Sequence, residues 1–441
     1  MYPRRVTPSD EPVLLLTTQS DVEAEMIRSL LASYDISSSV VSTLSHSLFP
    51  FAVGGLSEIH IRVPAHAEAD ARRIVAAHRS AAPEAAAEAA GNAPGSVVAL
   101  TLRGRAPARI DLAGGTLDIW PIYLLLDDPV TVNVAIDLAA EAEVGSLSGS
   151  RVEIRSEDLA AGTEAAELGG LPLDGPLALA VRLVRHFAPQ GGLRLTTRAT
   201  VPAGSGLGGS SALAVAVATA LLRRAGNPAR PADAADLARL LGNLEAQVLG
   251  IPTGVQDYYP ALLGGTLALS FSAAGVRAER LPVEGAALEE RLVLAYEGAS
   301  RSSGISNGDM LRRFLAGESG ARQGLAAVAR CARRVADALS IGDLDAAGLA
   351  LDDEMTARRS LSPLVVTEAT EAQFAAARAA GALGAKVCGA GGGGCSVYFT
   401  RAGGREAVAT ALNAAGARVL PFRIASSGAL TESSQAGAPG A

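Results

Sequence analysis

The segment V-P-A-G-S-G-L-G-G-S-S-A, Val201 to Ala212, concentrates the residues of this sequence best suited to hold an anion. Its glycines let backbone N–H groups come close to a ligand. The Ala-rich helix expected to follow, Ser211 to Arg224, adds unsatisfied amides and the positive end of its dipole. The same composition serves a tight turn packed with small residues, so the glycines alone leave phosphate cradle and turn both open. Gly204, Gly206 and Gly209 also satisfy G-x-G-x-x-G. A dinucleotide site, however, needs a second strand ending in an acidic residue about twenty positions on, and here N-P-A-R-P-A-D leads into another helix. A Walker loop needs Lys before Ser or Thr, and a protein kinase needs a strand lysine and H-R-D. Neither set is present, because the single lysine is Lys386 and Val387 follows it.

Such a loop has to be carried by regular elements. Strands are expected at Thr131–Ile136 and Leu193–Val201, and a helix at Ala232–Leu249, inside an α/β region that runs to about residue 283. A second α/β region follows from about Leu292 to Ala425. The run Ser80–Ser96, S-A-A-P-E-A-A-A-E-A-A-G-N-A-P-G-S, lacks apolar periodicity and reads as a flexible connector. Before it, Val13–Thr17 reads as a strand, Val22–Tyr34 as an amphipathic helix, Ile59–Val63 as a strand and Ala67–His78 as a helix. That order resembles a small α/β module of prokaryotic signal-transducing type, either a regulatory or partner-binding appendage or a stabilising cap. The resulting division is a module at 11–79, a linker at 80–96, two larger α/β domains at 97–283 and 284–426, and a polar, structureless tail at 427–441.

Composition limits the function classes. The chain has 441 residues, too many for one ordinary core. Apolar residues make up 49% and aromatic residues 4%, so Ala, Leu, Val and Gly must do most of the packing. A formal net charge of -7 leaves no basic field for nucleic acid. His46, His60, His66, His78 and His186 build no metal or nucleophile constellation. Cys331, Cys388 and Cys395 have no C-x-x-C spacing and are expected to be reduced and small in the core. The apolar run Val13–Leu16 is too short for a signal peptide, and Ala212–Leu222 is too short to span a bilayer. A cytoplasmic location without membrane contact is therefore expected.

Three ordered motifs narrow the reading. P-x-x-x-G-L-G-x-S-S, with Pro202, Gly206, Leu207, Gly208, Ser210 and Ser211, resembles the second motif of the GHMP kinases (galactokinase, homoserine kinase, mevalonate kinase, phosphomevalonate kinase). Upstream, A-P-A-R-I-D-L-A-G-G-T-L-D-I-W-P, Ala106 to Pro121, is similar to the first motif of the branch with heptose-phosphate kinases and fucokinases. Downstream, G-A-K-V-C-G-A-G-G-G-G-C-S-V-Y-F, Gly384 to Phe399, resembles the third. The resemblance covers roughly residues 97 to 426. It implies a ribosomal-S5-domain-2-like α/β domain followed by a ferredoxin-like one, with ATP and acceptor in the cleft between them. Where the family usually has Ser or Thr, this chain has Gly209.

The resemblance also implies roles. Amides of Gly204, Ser205, Gly206, Leu207, Gly208, Gly209, Ser210 and Ser211, after Pro202, would hold the ATP phosphates, with Gly391 and Gly392 of the third motif beside them. Mg²⁺, which favours hard oxygen ligands, would bind Ser210 and Glu245. Asp257, in G-I-P-T-G-V-Q-D-Y-Y-P, would take the acceptor's hydroxyl proton, with Arg109 beside it. Thr116 and Asp118 would bind acceptor hydroxyls. Arg301, in E-G-A-S-R-S-S-G, would clamp a sugar phosphate, with Arg358 and Arg359 as further cations for that task. The function implied is ATP-dependent phosphorylation of a sugar or sugar-phosphate hydroxyl. A sugar-binding sensor without turnover and a kinase for a non-sugar alcohol are the alternatives.

Overall fold

The computed structural model describes residues 12–18, 27–28, 31, 34, 36–42, 59–75, 100–188, 190–228, 233–298, 303–362 and 364–435. The chain divides into two units, Met1–Val97 and Val98–Ala441. In the first, β1 (Pro12–Thr18), β2 (Ser39–Ser42) and β3 (Ile59–Pro64) form an antiparallel sheet in the order β1-β3-β2. Alternation puts Leu15, Ile61 and Val63 on the inner face, against Ile27, Leu31 and the helical residues Ala71 and Val75. Strands expected from Val13 and from Ile59 coincide with β1 and β3. The four residues of β2, set among serines, carried too little pattern to be read. The connector at 80–96 lies outside the described residues.

The second unit is built on two long strands, β4 (Leu100–Ala113) and β5 (Val130–Ser146), paired along most of their length. Strands β6 (Val152–Ser156), β7 (Ala161–Ala165), β8 (Leu193–Ala199), β9 (Thr266–Ser272) and β10 (Gly275–Arg280) extend the sheet in the order β10-β9-β5-β8-β6-β7. Helices α1 (Ala178–Phe187), α2 (Gly209–Arg224) and α3 (Ala234–Leu249) bury their apolar residues in a core shared with Val144, Ile154, Leu193 and Leu195. A short helix, α4 (Tyr258–Leu263), joins that core. The Ala-rich character of α2 has a steric reason: a Cβ on Gly104 of β4 would meet the Ala216 carbonyl oxygen at 2.1 Å, so strand and helix backbones nearly touch.

After α5 (Gly285–Glu289), strand β11 (Leu292–Gly298) begins the second half. Helices α6 (Ser303–Leu315), α7 (Ser319–Ser340), α8 (Leu344–Leu361) and α9 (Glu368–Ala379) precede β12 (Ala382–Val387) and β13 (Gly394–Thr400). Then come α10 (Arg405–Ala414) and β14 (Arg418–Leu420), and the four strands pair antiparallel as β12-β13-β11-β14. A mixed core joins both halves: Ala108, Ile110 and Leu112 of β4 meet Val335 and Leu351 of α7 and α8 and Cys388 and Phe399 around β13. One expectation fails here. The tail read as structureless contains β15 (Leu430–Gln435), which pairs antiparallel with Leu100–Arg105 of β4. Its polar composition is that of an edge strand, where the partner's backbone supplies the order that apolar side chains do not.

Candidate active site

Strand alternation sets the first side chain of the candidate site. With Ala108, Ile110 and Leu112 of β4 turned into the mixed core, Arg109 and Asp111 point to the opposite face. Arg109 is 3% exposed, and its fork donates from Nε to Asp257 Oδ1 at 2.8 Å and from Nη2 to Asp257 Oδ2 at 2.7 Å. Nη1 donates to the Gly206 carbonyl, and the Arg109 backbone N–H donates to the Leu207 carbonyl at 3.0 Å. Burial works against the guanidinium's charge, but Asp257 and Asp111 outweigh it and raise its pKa. Asp257 precedes α4, so its carboxylate stands at the start of a helix.

The glycine loop closes over this pair. Gly208 caps α2 in the left-handed conformation, φ +70°, and a Cβ there would lie 3.2 Å from Asp257 Oδ2 and 3.4 Å from Arg109 Cγ. The free amides at the start of α2 are therefore beside the Asp257 carboxylate. Gly206, at φ +76°, presses on the third motif, where an added Cβ would sit 2.4 Å from the Cys388 carbonyl oxygen. Cys395 N–H donates to the Ser205 carbonyl at 2.8 Å. Gly391 to Gly394 all have positive φ, and Gly391 packs against the Val365 backbone. All three motifs thus meet. Leu207 and Ser211 are buried, so their side chains pack the loop rather than face a ligand, whereas Ser210 is exposed.

Two carboxylates flank the pair. Glu245 of α3 accepts from Ser210 Oγ at 2.6 Å on Oε1 and from the Tyr258 hydroxyl at 2.5 Å on Oε2. Burial raises the Glu245 pKa, the two hydroxyls oppose the rise, and negative Asp257 adds to it. Asp118 is 4% exposed and accepts from the Gln256 backbone N–H at 2.9 Å on Oδ2. Burial pushes its pKa up to about 7, with the Gln256 N–H opposing and Asp257 adding. Thr116, two residues earlier, is half-buried in a turn at φ +80°.

Beneath them lies a buried ionic layer. Lys386 Nζ lies 3.0 Å from Asp111 Oδ2, and both side chains are fully buried. Burial opposes the charge on Asp111, but Lys386, Arg358 and Arg109 hold its carboxyl below the usual range.

The phosphate-clamping expectation meets occupied side chains at two of its three arginines. Arg358 is 4% exposed and paired with Glu354, and Arg359 is bound to Glu371 at 2.8 and 3.0 Å, so neither is free to clamp a phosphate. Arg301 lies outside the described residues. Sequence reasoning also missed Asp111, Glu354, Gln256 and Tyr258. Tyr258 carried a signal, since it adjoins Asp257, and so did Lys386, as the lone lysine inside the third motif.

The family described as "GHMP kinases N terminal domain" matches residues 177–265, and "GHMP kinases C terminal" matches residues 335–418. Over 308 residues the chain is 27% identical to D-glycero-α-D-manno-heptose 7-phosphate kinase of Campylobacter jejuni, covering 68% of this chain and 89% of that relative. It is 30% identical over 254 residues to mevalonate kinase of Thermococcus onnurineus, covering 56% of this chain and 72% of the relative. The crystal structure of a D-glycero-D-manno-heptose 1-phosphate kinase from Bacteroides thetaiotaomicron aligns with a TM-score of 0.61 at 24% identity. That alignment covers 75% of this chain and 98% of the other, and at such identity the likeness is one of fold.

Proposed function

The chain belongs to the GHMP kinase family, and from that membership we propose that it transfers the terminal phosphoryl group of ATP to a hydroxyl of a sugar or sugar phosphate, a heptose-phosphate or fucose-like acceptor. One observation carries the reading. A carboxylate gripped on both oxygens by a buried arginine stands against the amide-rich start of a helix, with a second carboxylate, Asp118, bonded to the residue just before it.

The steps follow from the residues. Amides of the Gly204–Ser211 loop and the α2 dipole hold the β and γ phosphates. Asp118 and Thr116 accept hydrogen bonds from acceptor hydroxyls and orient one of them toward the γ phosphorus. That oxygen bonds to phosphorus as the bond from phosphorus to the β–γ bridging oxygen breaks, and Asp257 takes the hydroxyl proton. Such proton transfer contributes roughly 10² to 10⁴ in rate. Arg109 holds the carboxylate in line and brings positive charge to the transferred group. Arg301 is the proposed cation for a phosphate on the acceptor.

The site also fits a divalent cation. Glu245 is a buried carboxylate faced by two hydroxyls and by negative Asp257, so it is short of positive charge. Among the described residues no cluster of three or more His, Cys, Asp or Glu is placed to hold a metal, so further ligands would come from phosphate and water oxygens, as suits Mg²⁺. Ser210 and Glu245 would hold it, and it would supply neutralisation of phosphate charge.

The missing hydroxyl at Gly209 does not favour a sensor without turnover, because Ser210 already supplies a hydroxyl to Glu245. Among the described residues no helix is long and apolar enough to cross a membrane. Release of ADP from Mg-ATP is to be measured against heptose phosphates, fucose, galactose and related sugars. Acceptor-dependent turnover is expected with at least one, and binding of sugars with no turnover above background would replace the kinase with a sensor.

A further inference from the structure

Arg358 and its neighbour on α8, Glu354, do something other than meet solvent. Arg358 donates from Nε to Glu354 Oε1 at 2.8 Å and from Nη2 to the Gly115 carbonyl at 2.6 Å. The same Glu354 Oε1 accepts from the Gly114 backbone N–H at 3.1 Å. Two residues one helical turn apart therefore hold the backbone of two successive residues, Gly114 and Gly115, in the turn that follows β4.

That turn is conformationally demanding. Gly114 has φ +86°, and Thr116, which carries a Cβ, has φ +80°. A β-branched residue in the left-handed region persists only where its surroundings impose it. Gly115 has no room for a side chain, since an added Cβ would lie 2.4 Å from Asp111 Oδ2 and 3.1 Å from Arg358 Nη2. The turn closes on itself through Leu117 N–H to the Gly114 carbonyl at 3.0 Å and leads directly to Asp118. A buried ion pair adds little net stability, because desolvation offsets its attraction. Its effect here is geometric.

We propose that Glu354 and Arg358 are positioning residues that fix acceptor specificity, by imposing from α8 the shape of the Gly114–Thr116 turn that presents Thr116 and Asp118 to the acceptor. None of these bonds reaches the nucleotide loop or Asp257, so their direct contacts all fall on the acceptor side. The inference rests on the reading of Asp118 as an acceptor-binding group.

The test uses the full chain, with steady-state kinetics for wild type, Arg358→Lys and Glu354→Gln on a sugar phosphate that the wild type turns over. Lysine keeps the charge but cannot reach Glu354 and Gly115 together, and glutamine keeps the shape if the lysine variant folds poorly. The acceptor KM is expected to rise on the order of tenfold or more, as small misplacements do. The ATP KM should stay within about twofold, and discrimination between acceptors epimeric at one hydroxyl should shrink. Equal shifts in both KM values, or no shift in a variant that keeps the wild-type melting temperature, would overturn the proposal. Absence of turnover in the wild type with every acceptor would instead remove the kinase reading beneath it.

Discussion

The guanidinium of Arg109 and the carboxylate of Asp257, 148 positions apart in sequence, form a two-point clasp with both donor distances below 3 Å and Arg109 almost wholly buried. A third Arg109 nitrogen reaches the Gly206 carbonyl. Asp257, the proposed base, and the glycine loop are thereby locked to one side chain. Precision of this kind is what phosphoryl transfer requires, since the protein contributes positioning and charge rather than covalent chemistry.

The contact between Gly206 and the third motif predicts a sharp positional contrast. Gly206→Ala places a Cβ 2.4 Å from a backbone carbonyl at a positive φ, combining about 1–3 kcal/mol of backbone strain with overpacking of similar size. Thermal unfolding should fall by several degrees and ATP affinity by about tenfold or more. Gly209→Ser, whose Cβ would meet Val201 at an ordinary 3.5 Å, should leave both nearly unchanged. Equal tolerance of the two substitutions, read by calorimetry, would contradict the packing of the loop on Cys388.

Tyr258 gives a prediction about the metal. Its hydroxyl occupies one oxygen of Glu245 and leaves the other to Ser210. Tyr258→Phe removes the hydroxyl but little volume, so the carboxylate loses the partner that orients it. Such orienting partners are worth about 10- to 100-fold in metal affinity. The Mg²⁺ concentration for half-maximal turnover should rise by about tenfold, and Mn²⁺ binding followed by electron paramagnetic resonance should weaken in parallel. Unchanged Mn²⁺ binding would place the metal away from Glu245.

Asp118 makes stability depend on pH. Its folded-state pKa, about 7, lies above the ordinary 3.8, chiefly through burial. The folded chain thus holds the proton more tightly than the unfolded one. The associated stability is complete below about pH 4 and is lost as pH rises through about 7. Asp118→Asn does not titrate and should gain on the wild type with rising pH, with an upper bound of roughly 4 kcal/mol at about 1.4 kcal/mol per pKa unit. Urea unfolding at pH 5 and pH 8 checks this, and an equal difference at both values would contradict it. The same variant should bind acceptor more weakly, so the cost of a buried carboxylate is tied to its use.

How far the sequence was legible depended on the range of the signal. Gly204–Ser211 could be read because a glycine loop opening a helix is a local pattern, and Arg109 and Asp257 because they sit in motifs with fixed neighbours. The strands at Leu193 and Ile59 were visible in period-two alternation. What escaped was long-range. Nothing near Arg358 in sequence reveals that its partner is the carbonyl of Gly115, 243 positions away, so an arginine beside another arginine read as a cation for the acceptor's phosphate. Lys386 was noticed only because it could not complete a Walker loop, and its burial against Asp111 depends on β12 and β4 meeting. The tail looked structureless because its order comes from the β4 backbone, and pairing with a distant strand leaves no periodic trace in polar residues.

The central claim, that Asp257 takes the acceptor's proton beside bound ATP, is met most directly by Asp257→Ala, followed as transfer of labelled γ-phosphate to the acceptor that the wild type uses. Transfer is expected to be slower by about 10² or more, with the dissociation constant of a non-hydrolysable ATP analogue within a few fold of wild type. Transfer at the wild-type rate in that variant would contradict it.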